Sequence, residues 1–181
     1  TKIENKGGKA DNTEVDIKKL HFEIAENSVD LIMLLKTPVS DPFIDGHLQA
    51  ELDMSKIKDV YPLEIGEELK GDFTANIYLK GNMSSIENEQ YQDFRALGSL
   101  LCQNFAYKSQ DIPYGIEIMN AQLNFSPEYL DLVDFYAMIG ESDLKAKGKI
   151  NNYMGYVFND EMIKGNFNTR STYFNLNDLM P

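Results

Sequence analysis

Gly115 to Ile150 reads GIEIMNAQLNFSPEYLDLVDFYAMIGESDLKAKGKI. Three runs of alternating apolar and polar residues are separated by two turn signals, Ser126-Pro127-Glu128 and Gly140-Glu141-Ser142. Alternation at period two places every second side chain on one face of a sheet. The short connections leave no room for a crossover, so neighbouring strands must be antiparallel. The stretch is therefore a β-meander with one apolar face and one polar face. Strict alternation puts Phe135 on the face opposite Leu130 and Leu132, so a bulge or bend is expected near Val133-Asp134.

The rest of the chain follows the same pattern. Lys19–Glu26, Ser28–Thr37, Gly46–Met54, Leu69–Leu79, Arg95–Tyr107 and Ile163–Tyr173 read as further strands. Asn27-Ser28 is placed as the turn between the first two. The continuous run Leu31–Leu35 suits a strand buried on both faces. Ser55 is positioned to cap a short helix with Ile57, Val60 and Tyr61 on one side and Pro62 at its end. Ser84 with Glu87 three residues on forms a capping-box pattern. Asn151–Asn159 reads as a short helix burying Tyr153, Met154, Val157 and Phe158. Residues 1–18 are polar and glycine-bearing and read as a flexible lead-in to one β-rich domain over 19–181.

Glycines stand in or near several strands, at Gly46, Gly71, Gly98, Gly148 and Gly165. Their spacing is too irregular for a solenoid, but it fits a repeated strand unit within one long sheet. Glycines inside strands mark bulges and bends, so the sheet is expected to be curved. The fold class is mainly β (α+β), a long curved antiparallel sheet with a few short helices.

Charge and chemistry exclude more than they assign. The formal net charge of −12 opposes nucleic-acid binding and electrostatic docking on an anionic membrane, and no sequence cluster of Lys and Arg offsets it. His21 and His47 fall on polar strand faces, where solvated surface histidines are the plain reading. Neither has a second His or a Cys at metal-ligand spacing. Asp41, Asp45 and Asp53, or Asn175, Asn177 and Asp178, lack the calcium-loop arrangement. The single Cys102 lies in an apolar strand and reads as a buried, inert thiol. There is no phosphate-binding loop, nucleophile elbow or dinucleotide fingerprint. Asn82-Met83-Ser84 and Asn124-Phe125-Ser126 match the glycosylation triplet, which is common by chance. No enzyme, cofactor or metal is expected.

What remains is the apolar rows. By parity they comprise Leu48, Ala50, Leu52 and Met54; Phe73, Ala75, Ile77 and Leu79; Ile116 and Ile118; Leu130 and Leu132; and Leu144, Ala146 and Ile150. Two readings stand. The rows form an ordinary core under a layer of helices, or the floor of a groove that holds acyl chains. Three short helices are few for a sheet of about nine strands, which leaves apolar area for lipid, a partner or more of the same chain.

These residues resemble the C-terminal region of AsmA-like proteins of Gram-negative bacteria, in the style of Bacteroidetes members. The resemblance spans roughly residues 20 to 180 and is densest from 115 onward. Its motifs are AQLNFSPEYLDL at Ala121–Leu132, Gly140, SDLKAKGKINN at Ser142–Asn152, the strand Gly165–Ser171 and LNDL at Leu176–Leu179. Upstream, DGHLQAELD at Asp45–Asp53 is similar to a further family unit. The resemblance implies a periplasmic module attached to the inner membrane through an upstream segment, with a role in outer-membrane biogenesis. It further implies a β-groove in the cell envelope that handles or transports phospholipid without catalysis. The alternative is a structural module whose apolar face packs on the rest of its own chain or on an envelope protein.

Overall fold

The computed structural model describes residues 1–59, 66–110 and 112–179, with side chains at all of these except 57–59, 158, 159, 178 and 179. Ten strands form one antiparallel, open, curved sheet, and their order across the sheet is their order in the chain. They are β1 (Lys2–Asn5), β2 (Thr13–Ile24), β3 (Asn27–Lys36), β4 (Phe43–Asp53), β5 (Glu68–Asn82), β6 (Arg95–Lys108), β7 (Ile116–Phe125), β8 (Tyr129–Ile139), β9 (Ser142–Asn151) and β10 (Lys164–Arg170). Two short helices, α1 (Met83–Glu87) and α2 (Tyr153–Asn159), accompany them. The meander expected over 115–150 is β7, β8 and β9.

Several local expectations change. The stretch expected as a lead-in carries β1 and the first half of β2, paired from Lys2↔Asp16 to Asn5↔Thr13. Glycine and charge in that stretch mark a hairpin loop, not a linker. The turn after β2 is Ala25-Glu26, not Asn27-Ser28. Both turn residues have positive φ, 47° and 64°, the conformation that a two-residue hairpin needs. Ile32 in the Leu31–Leu35 run is 53% exposed, so that strand is not buried on both faces.

The helix starts are also held differently. Asp53 Oδ1, not Ser55, supplies the acceptor at the 3-10 helix Met54–Asp59, taking the Ser55 N–H at 2.9 Å and its hydroxyl at 2.6 Å. Val60, Tyr61 and Pro62 lie outside the described residues. Ser84 makes no capping box. The carboxylate of Asp41 takes the Ser84 N–H and hydroxyl, each at 2.9 Å, and the Asn82 amide at 2.9 Å. A carboxylate is suited to the unpaired N–H groups that open a helix. In α2, Tyr153 and Met154 are buried as expected, but Val157 is exposed; the Phe158 side chain is among those not described.

Bulges keep the two faces in phase. Register shifts occur at Ile17/Leu20, Lys70/Asp72, Ile118/Asn120 and Leu132/Phe135. The last lies where the sequence called for one, and its effect is to return Phe135 to the face of Leu130 and Leu132. Each extra residue absorbs one step of the period-two alternation, so a strand whose sequence changes phase still sends its apolar residues one way.

Gly98 shows how close the strands come. Its φ is +127°, and a Cβ there would lie 1.9 Å from the Asn76 carbonyl oxygen on β5. Only glycine fits that conformation and that approach. Gly98→Ala is expected to cost about 2 kcal/mol or more in urea unfolding. Gly46→Ala is the comparison. Its Cβ would meet nothing closer than 3.5 Å, so the change is expected to stay within about 0.5 kcal/mol. Equal losses at the two sites would refute this account of the glycines.

Candidate functional site

Register builds two continuous rows across the sheet. Phe22, Val29, Ala50, Ala75, Leu100, Leu123, Leu132, Gly148 and Phe167 are successive cross-strand partners from β2 to β10. Every member is apolar or glycine. One residue along, His21, Asp30, Gln49, Asn76, Ser99, Asn124, Asp131, Lys149 and Asn166 pair in the same way, and every member is polar. With neighbouring strands about 4.8 Å apart, each row runs roughly 38 Å. The sheet is thus a single layer with one apolar and one polar face.

Register places the parity-derived residues of β4, β5, β7, β8 and β9 together on the apolar face. Met54 is the exception, since β4 ends at Asp53 and Met54 opens the 3-10 helix. Parity missed much of the face. Leu31, Met33 and Leu35 on β3 were hidden by an unbroken apolar run. Phe105 on β6 and Phe135 on β8 were hidden by bulges. Phe105 meets Phe73 edge-on, with ring centroids 5.7 Å apart.

Among the described residues, the two α-helices cover one end of this face. Met83 of α1, Tyr153 and Met154 of α2, and Phe94 and Ala96 at the start of β6 form the buried cluster. Leu79, Ile86, Phe125, Leu130 and Ile150 pack against it. Thus Leu79, Leu130 and Ile150 lie under the helices, not in the open part. Tyr153 is held by an edge-on contact with Phe125 and by its hydroxyl, which donates to the Ser126 carbonyl at 2.8 Å. Burial pushes its phenol pKa upward. Towards the other strand ends, Leu52, Phe73, Phe105, Ile116 and Leu144 are only half-buried, and the 3-10 helix Met54–Asp59 lies against β5.

The polar face offers little chemistry. His21 Nδ1 lies 2.8 Å from Asp30 Oδ1. That bond and charge, followed by the weaker pull of Glu23, hold the imidazole pKa above its ordinary value. His47 Nε2 lies 2.8 Å from Asn76 Oδ1. Cys102 is buried, and burial pushes its thiol pKa up, away from the reactive thiolate. Among the described residues no three His, Cys, Asp or Glu side chains gather into a metal site. Asp41, Asp45 and Asp53 are separately engaged, with the start of α1, with Lys80 and with Ser55. Two surface depressions of about 410 Å³ each lie beside the Gly71 bulge and beside the two helices, and their walls mix polar and apolar side chains.

Charge, in contrast, is organised in a way that the linear sequence conceals. Lys145, Lys147 and Lys149 of β9 and Lys164 and Arg170 of β10 all point from the polar face. The sequence shows no basic run because these side chains alternate with apolar and amide residues. Pairing the strands brings them together. Comparison with known proteins finds no matching family model, no matching curated protein and no matching solved structure.

After β10 the chain turns back to the start of β9. Asp143 Oδ1 accepts the backbone N–H groups of Thr172 at 2.8 Å and Tyr173 at 2.7 Å. Asn175 N–H donates to Ser142 Oγ at 2.8 Å. The backbone bond from Tyr173, then that from Thr172, holds the Asp143 pKa below its ordinary 3.8. A depressed carboxyl pKa stabilises the folded arrangement above the unfolded value and loses that effect as pH falls through the folded one. Hydrogen exchange at Thr172 and Tyr173 is therefore expected to accelerate, relative to strand amides, below pH 3.8. Asp143→Asn should remove this pH dependence. Persistence of the acid response in that variant would assign it to another group.

Proposed function

We propose that this chain is a non-enzymatic lipid-handling module of the AsmA-like type, which holds acyl chains along its apolar sheet face. The carrying observation is the apolar row from Phe22 to Phe167, unbroken across nine strands, with the two α-helices, among the described residues, packed into a buried cluster near one set of strand ends. An acyl chain laid on such a surface gains roughly 0.8 kcal/mol for each CH2 removed from water. Affinity then accumulates without any particular hydrogen bond. That suits a surface along which a chain slides more than one that fixes it. The polar row on the reverse face stays hydrated. In the cell this reading places the module in the periplasm, attached to the inner membrane and acting in outer-membrane biogenesis, with phospholipid as cargo.

A second reading is favoured by the edges. All seven residues of β10 are exposed, and Ile3, Phe22 and Phe167 are exposed on the apolar face near the two margins. On this reading the face packs on another part of the same chain or on an envelope protein.

Lipid extraction separates the two. Purified protein is expected to carry phospholipid detectable by mass spectrometry. Leu52→Asp and Ile77→Asp, each placing a charge in the apolar face, should reduce it about tenfold or more. Lipid retained at the wild-type level in folded variants, or no lipid in the wild type, would overturn the lipid reading. Self-association lost in the same two variants, without bound lipid, would establish the second.

A further inference from the structure

The five cations of β9 and β10 form a ladder. Arg170 lies opposite Lys145, Asn168 opposite Lys147, Asn166 opposite Lys149, and Lys164 opposite Asn151. Rungs on one face repeat at about 6.8 Å along the strands, so the ladder is roughly 20 Å long. Each rung has at least one cation, and three of the four add an amide donor. All five cationic residues are exposed.

Among the described residues no ion pair ties them down, although Asp131, Asp134 and Asp143 lie on the neighbouring polar surface. Elsewhere some lysines sit in ion pairs, Lys2 with Glu4, Lys36 with Glu14, Lys56 with Glu26 and Lys80 with Asp45, while Lys9, Lys18, Lys19, Lys70 and Lys108 form none among the described residues. Among the described residues none of the five ladder cations is paired with a carboxylate. Asp131 faces Lys149 in register without forming an ion pair. Asp134 is bonded to Asn120, and Asp143 to the backbone N–H groups of Thr172 and Tyr173. Lys145 and Lys149 instead lie over the rings of Tyr136 and Tyr129, at 4.8 and 3.5 Å from their centroids. A row of cations and amide N–H donors suits phosphate oxygens.

The same margin is apolar on its other side. Met162 and Ile163 precede β10, Phe167 projects from its apolar face, and Tyr173 and Phe174 follow it; all are exposed, Met162 at 79%. A nucleic acid or an acidic protein would use the cations and leave these side chains in water. A bilayer surface uses both, since aromatic and aliphatic side chains enter the headgroup layer while Lys and Arg reach phosphates.

We infer that the β9–β10 margin docks on an anionic membrane surface, with its cation ladder on lipid phosphates and its flanking apolar side chains in the headgroup layer. The sheet then stands edge-on to the bilayer, and its apolar face opens towards the acyl chains. The net charge of −12 does not prevent this. Charges on distant strands are screened beyond about 8 Å at physiological salt, while the ladder is in contact. The inference rests on the lipid-handling reading and supplies the point at which cargo enters or leaves.

The test is co-sedimentation of the whole chain with vesicles of phosphatidylcholine containing a minority of phosphatidylglycerol, compared with phosphatidylcholine alone. Preferential binding to the anionic vesicles, weakening as salt rises, is expected. Each ladder cation contributes about fivefold to partitioning, so the combined change Lys147→Glu, Lys164→Glu and Arg170→Glu should reduce binding about 100-fold or more. The matched change Lys18→Glu, Lys70→Glu and Lys108→Glu alters net charge equally away from the ladder and should leave most binding intact. Gln in place of Glu at the three ladder positions serves if the reversed charges disturb folding.

Equal binding to the two vesicle types, no binding, or undiminished binding by the ladder variants would overturn the inference. So would tighter binding to a single-stranded oligonucleotide than to vesicles. Co-purified phospholipid is measured on the same samples. If it is normal while vesicle docking is absent, docking fails and the lipid reading stands. If vesicles bind but no lipid co-purifies, docking stands and the acyl-holding role fails.

Discussion

Cross-strand register governs everything else in this molecule. A sheet with one apolar face tolerates no odd slip, because a shift of one residue exchanges the two faces along the whole strand. Here nine successive strands agree on which residues face which way, although several of their sequences change phase along their length. The bulges at Ile17/Leu20, Lys70/Asp72, Ile118/Asn120 and Leu132/Phe135 reconcile the two. Each leaves a residue out of the pairing to preserve the face. Curvature comes with this, since a bulge bends its strand and strengthens the local twist.

With the faces fixed, the helices have a limited role. They do not form a second layer. Met83, Tyr153 and Met154 close one end of the apolar face around Phe94 and Ala96, and Asp41 anchors the start of α1 from the loop between β3 and β4. That arrangement secures the middle strands at one end, and among the described residues the buried cluster does not extend to the half-buried side chains at the other. The two properties on which the proposed function rests, an apolar floor and a cationic margin, are both products of strand pairing, not of any single segment.

That distinction decides what could be read from the sequence. Alternation is local, so β4, β5 and the three meander strands were legible, as was a bulge near Val133. The faces of β3 were not, because Leu31–Leu35 is apolar at every position and the polar partners that assign its sides lie on β2 and β4. Residues 1–18 were misread because a hairpin loop and a linker share the same composition of glycine and charge. The cap of α1 was missed because its acceptor, Asp41, lies over forty positions before Ser84. Most instructive is the cation ladder. Lys145, Lys147 and Lys149 looked like the wetted side of one strand. Only the pairing of Arg170 with Lys145 and of Asn151 with Lys164 converts that side into a surface.

The order of strands across the sheet, identical to their order in the chain, has a mechanical meaning. Each strand bonds only to the strands before and after it, so the sheet is a one-dimensional stack with no closing contact between first and last. In such a stack cohesion is set by nearest neighbours, as in repeat proteins. Width is then an adjustable quantity. One more hairpin at a margin would lengthen both rows by about 10 Å and leave every interior pairing as it is. A barrel or a sandwich cannot grow that way, because closure fixes its strand count. This architecture can be matched to a distance by adding units, which is how a ruler is made.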